Sequence, residues 1–72
     1  MKIVGAKLLE KREKAGKTRS DTAKVIGVTH IRLWQIETGK PDGHLVSNLN
    51  DNAVNAVCKF LKIKPADIME AP

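Results

Sequence analysis

The chain has 72 residues, with 13 Lys and Arg against 8 Asp and Glu, a formal net charge of +5, and one Phe, one Trp and no Tyr. A chain this short is expected to form one domain over residues 1–72 and to bury only about 60% of the surface it exposes when unfolded, so its core is thin and built from Val, Ile, Leu and Ala. The lone Cys58 excludes an internal disulfide, no signal-peptide pattern is visible, and the apolar runs are too short for a bilayer, which together predict a cytosolic protein with no membrane partner.

From Ile3 to Ala15 the apolar Val4, Leu8 and Leu9 recur among charged residues, which predicts an amphipathic first helix stopped by Gly16. Thr18 stands three residues before Asp21, a capping-box spacing with Asp in place of Glu, so a second helix is expected over residues 19–26. Ala23 permits a close backbone approach, Gly27 suits a left-handed turn, Val28 points inward, and Thr29 caps a third helix ending at Gly39. Residues 16–39 therefore read as two short helices around a glycine-centred turn, a unit whose second helix commonly enters a DNA groove.

Residues 40–50 hold Pro41, the Asp42-Gly43 pair, Ser47, Asn48 and Asn50, and read as a loop. A fourth helix is expected from about Asp51, with Val54, Val57, Cys58 and Leu61 forming its buried stripe. Pro65 then opens a last short helix carrying Ile68 and Met69. The expected fold class is all-α, a bundle of about five short helices.

Charge is uneven along these elements. Residues 1–24 hold eight bases against three acids, which accounts for the whole excess, while residues 25–72 balance five against five. A basic side suits phosphate binding, would equally steer the chain toward an acidic protein, and is also what a solvated helix face looks like.

Leu8, Arg12, Gly16, Thr18, Ala23, the Gly27-Val28-Thr29 turn, Leu33, Ile36, Glu37 and Gly39 together resemble the Cro/CI-type (XRE-like) helix-turn-helix regulators over nearly the whole chain. More narrowly, length and departures resemble the modulator-of-repression (MOR) proteins encoded beside the CI repressor in some temperate phages. The resemblance implies a lambda-repressor-like architecture, residence in the bacterial host cytosol, a part in a lysis-lysogeny switch, and a CI-type repressor as partner. It also implies that Arg12 and Glu37 form a structural ion pair. Three departures stand out: Arg19 replaces the family's usual Gln, Thr22 replaces a usual Leu, and the 40–50 loop is about six residues longer than the family's connection.

At about 100° per residue, Leu33 and Ile36 point to the core, while Trp34, Thr38, Ile31 and Gln35 spread over the opposite side of the third helix. Gln35, His30 and Arg32 can hydrogen-bond to base edges, but Ile31 can only touch a thymine methyl and Trp34 is bulky for a groove. Burying an aromatic ring of about 150–250 Å² at roughly 25 cal/mol per Å² gives at most about 4–6 kcal/mol, so these two residues suit a protein partner better. The alternative is that the long loop or the first helix of the same chain covers Trp34.

Catalysis finds little support. His30 and His44 lack a metal-binding context, Cys58 falls on a buried stripe, and no glycine-rich phosphate loop occurs. No enzyme activity, cofactor, metal or small-molecule ligand is expected. The leading expectation is a repressor modulator whose Ile31, Trp34 and Gln35 dock on a CI-type repressor, acting as an antirepressor or, with DNA bound at the same time, as a joint repressor, with Lys17, Arg19, His30 and Thr38 available for auxiliary partner or DNA contact. The alternative is a Cro-like repressor that places helix three in the major groove of double-stranded operator DNA. A third class, the antitoxin half of a toxin–antitoxin pair, stays open.

Overall fold

Two helix pairs share one apolar core in the computed structural model of the chain, which describes residues 1–40 and 42–70. The order is β1 (Lys2–Val4), α1 (Gly5–Lys14), α2 (Arg19–Ile26), α3 (His30–Thr38), β2 (Val46–Asn48), α4 (Asp51–Leu61) and a 3₁₀ turn at Pro65–Asp67. α1 packs on α3, and α2 packs on both α3 and α4. Leu8, Leu33, Ile36, Val54 and Val57 fill the space between them and are essentially sealed from solvent.

The helix starts follow from side-chain chemistry. Thr18, Thr29 and Asn50 each accept from the backbone N–H three residues on, at 3.1, 3.1 and 2.7 Å, which satisfies one of the unpaired donors of each first turn. The return bond from Asp21 to Thr18 is absent among the described residues, so the expected capping box is half formed. Gly27 ends α2 at φ +90, with its N–H donating to the Ala23 carbonyl at 2.8 Å, a conformation costly for any residue with a Cβ. Thr22 is fully buried, and its hydroxyl donates to the Thr18 carbonyl at 2.8 Å, so this polar residue occupies a core position without an unpaired group.

Where the chain begins, periodicity misleads. Ile3 and Val4 belong to β1 and not to the first helix, because Ile3 is buried against the core while its backbone pairs antiparallel with Ser47 of β2. Residues 46–48, expected within a loop, supply that second strand. Each three-residue strand exists because the other is present, a tertiary pairing that local composition does not encode. Pro41 lies outside the described residues.

The chain end differs as well. Residues 65–67 make a single 3₁₀ turn instead of a helix, held by Lys64 N–H donating to Asp67 Oδ2 at 3.0 Å. The chain then straightens, because Ile68 is fully buried, its carbonyl accepts from Val4 N–H at 2.7 Å, and Met69 bridges Ile3. The expected five-helix, all-α bundle is thus a mostly helical fold with four α-helices and a small two-stranded sheet among the described residues. Among those residues no helix is long and apolar enough to cross a membrane.

Gly5 sets the spacing between α1 and α3. A Cβ at this position would collide with the backbone carbonyl of Ile36, so the helices approach at a distance only glycine permits. Gly5→Ala is expected to push them apart and cost about 1–3 kcal/mol. Urea unfolding of the variant should show a lower midpoint with an unchanged slope.

Candidate interaction face on the third helix

α3 divides cleanly into an anchored side and an open side. Leu33, Ile36 and Glu37 are buried, whereas Ile31 is 59% exposed and Trp34 37% exposed. The indole is therefore only partly covered by its own chain. His30 and Arg32 are exposed at the start of the helix, and Gln35 and Thr38 are half-buried. Thr38 donates its hydroxyl to the Trp34 carbonyl at 2.7 Å, so it is turned back onto the helix that carries the ring.

What fixes this helix is a buried carboxylate. Glu37 Oε2 accepts from Arg12 Nε at 2.6 Å, and Glu37 Oε1 accepts from Arg12 Nη2 at 3.4 Å and from Arg19 Nε at 2.9 Å. The carboxylate side chain is fully buried, that of Arg12 nearly so, and that of Arg19 is about one-third exposed. Arg12 also donates Nη1 to the Lys17 carbonyl at 2.9 Å, which ties in the turn between α1 and α2. No buried side-chain nitrogen or oxygen among the described residues lacks a partner.

This geometry changes the role expected of two cations. Arg19, expected to reach a partner's acidic groups or phosphates, spends its Nε on Glu37. Lys17 stands over the Phe60 ring at 5.0 Å, a cation–π contact between the α1–α2 turn and α4. The five α3 residues predicted for recognition lie together on one helix, while Arg19 and Lys17 act first as structural ties.

Two features of the surroundings escaped sequence reasoning. Leu45 is 68% exposed beside β2, and an open groove of about 270 Å³ runs between α3 and residues 39–40 and 42–48, with Arg32, Gln35, Lys40 and His44 on its walls. Residues 45–49 carry no apolar–polar alternation to mark the strand that borders it.

Cys58 sits on the buried face of α4. Burial pushes its thiol above the ordinary value, and the Asp67 carboxylate pushes the same way, so this is an inert core thiol and not an activated one. Among the described residues no group of three His, Cys, Asp or Glu could hold a metal ion. No protein-family model, curated protein or solved structure matches the chain.

Two outcomes follow from this geometry. Glu37→Ala leaves two guanidinium groups without their buried counter-ion and should cost about 3–5 kcal/mol in urea unfolding. Because the raised thiol value holds the proton in the folded state, Cys58 contributes stability below the ordinary thiol range that is lost as pH rises through the folded value. Native protein should accordingly react with a thiol reagent only as fast as it opens, a rate that denaturant should raise sharply.

Proposed function

We propose that this chain is a helix-turn-helix regulator that acts on transcription by docking the open side of α3 on a partner repressor. The observation that carries the reading is the joint exposure of Ile31 and Trp34 on one helix whose opposite side is anchored. Tryptophan is enriched among residues that dominate binding energy at protein interfaces, and an exposed Ile and Trp offer no hydrogen-bond readout of base edges themselves beyond the single indole N–H. The likeness of the chain to Cro/CI-type regulators over nearly its whole length, and of its length and departures to MOR proteins, supports a CI-type repressor as the partner class. Engagement of Arg19 with Glu37 supports the same choice, since it withdraws the cation at the start of α2 from full use on phosphate. Docking that covers the repressor's recognition surface would relieve repression and make the chain an antirepressor.

The second reading, a Cro-like repressor bound directly to operator DNA, draws on the eight bases of residues 1–24 and on the exposed Arg32 and half-buried Gln35 at the groove beside α3. The two readings part in solution. A modulator should bind operator DNA weakly by itself and bind a CI-type repressor in a manner that Trp34→Ala weakens by about thirtyfold or more, the loss of one interface hot spot. An operator binder should bind duplex DNA alone, with affinity falling steeply as salt rises and falling further on Lys17→Ala. Isothermal titration of the repressor and of the operator, each into wild-type and Trp34→Ala protein, reads both cases. Tight, salt-sensitive duplex binding that survives Trp34→Ala would overturn the modulator reading.

A further inference from the structure

We propose that the hollow between the last turns of α1 and α4 is a second docking site, which takes an acidic segment of another protein anchored by an aliphatic side chain. Both helices end here, and the way α4 ends shapes the site. Lys62 caps α4 at φ +58, the single non-glycine residue with positive φ among the described residues. Its N–H donates to the Lys59 carbonyl at 3.3 Å and that of Ile63 to the Cys58 carbonyl at 2.9 Å, so the chain folds back and sets Ile63 against the core. Lys11, Lys14 and Ala15 of α1 and its cap close the other side, leaving an open hollow of about 280 Å³ lined also by Leu61 and Ile63. The turn after α1 is tied to the same place by Lys17, whose ammonium stands 5.0 Å over the Phe60 ring.

Size, floor and charge select the occupant. The hollow is smaller than the range of about 300–1,000 Å³ typical of small-molecule sites, which suits a single side chain. Charge around it is one-sided: residues 11–17 and 59–64 hold six lysines and one acid, Glu13, while Arg12 is tied to Glu37. None of the six lysines forms an ion pair among the described residues. Glu10, one turn earlier, and Asp67, beyond Pro65, are the next acids along the chain, and neither lines the hollow. The two helix ends add roughly half a negative charge each, too little to offset six ammonium groups. Lys62 also holds a left-handed backbone that glycine adopts at less cost, and it places a charge between Leu61 and Ile63. A nucleic-acid backbone would use the lysines and leave the apolar floor without a partner. A bilayer needs protruding apolar groups, whereas the exposed large ones, Ile31, Trp34 and Leu45, stand on other segments. Symmetric pairing of two copies here would oppose lysine to lysine. An acidic segment with an apolar anchor uses both the lysines and the floor. No α3 residue lines the hollow, so this inference does not rest on what α3 binds, and the two surfaces can be occupied together.

The probe is a short synthetic peptide of Asp and Glu around a central leucine, titrated into the nitrogen-15-labelled full chain. Amide resonances of Ala15, Leu61 and Ile63 should shift, the Trp34 indole should stay in place, and affinity should fall as salt rises. Replacing the peptide's leucine by serine should weaken binding by about tenfold or more, as should Lys14→Glu in the protein. Lys62→Gly separates recognition from folding: the urea midpoint should hold or rise as the left-handed strain is relieved, while affinity for the peptide falls by about threefold or more. If Lys14→Glu disturbs the helical circular dichroism, Lys62→Gly and the serine peptide decide. Failure of the peptide to bind, equal binding of the serine peptide, or an affinity indifferent to Lys62→Gly would each overturn the proposal. So would tighter occupation of the hollow by phosphatidylglycerol vesicles, by duplex DNA or by a second copy of the chain.

Discussion

The carboxylate of Glu37 joins three helices, and the arrangement of the molecule turns on it. It accepts from Arg12 of α1 and Arg19 of α2 while belonging to α3, so one buried acid fixes how each of these elements lies against the others. Desolvating such charges consumes most of the Coulombic gain, so the cluster adds little net stability over an apolar core of equal volume. Its contribution is selective: any packing of α3 that separates these groups strands charge in a low-dielectric interior. In a chain of 72 residues, where apolar burial alone leaves a narrow margin, that selectivity gives α3 a defined rotation. Gly5 completes the restraint by letting the backbones of α1 and α3 meet.

A helix held in this way presents one defined side to solvent. Its inward groups are fixed by Leu33, Ile36 and Glu37, so Ile31 and Trp34 are displayed because the rotation that hides Glu37 leaves them out. Presenting a preformed apolar pair avoids much of the ordering cost that reduces affinity when a flexible surface binds. The same ion cluster ties Arg19 through its Nε and leaves about one-third of the side chain exposed.

Much of the helical framework was legible in the sequence because it is written in local chemistry. Thr18 and Thr29 cap helices through their own side chains, and Gly27 sits where a left-handed residue is required, so α2 and α3 could be bounded from spacing alone, whereas spacing gives α4 only an approximate start and does not reveal its Asn50 cap. What stayed hidden depends on partners far along the chain. Ile3 and Val4 look like helix residues until Val46–Asn48 is placed beside them, and Ile68 looks like part of a last helix until its carbonyl is taken by Val4. The reach of Arg19 to Glu37 crosses 18 positions, and nothing in the local pattern of α2 marks it as structural. On the interaction face, helical periodicity was sufficient to turn Ile31 and Trp34 outward, whereas Leu45 and the groove beside β2 could be seen only once the strands were paired.

The central claim is that the open side of α3 is covered by a protein and not by a nucleic acid. Trp34 is the single tryptophan of the chain, so incorporation of 5-fluorotryptophan places one fluorine signal on that face. Its resonance should carry the signature of a partly wet ring in the free protein, shift on addition of a CI-type repressor and lose its sensitivity to solvent isotope, and stay in place on addition of operator DNA alone. A resonance that ignores the repressor and moves with operator DNA would contradict the account.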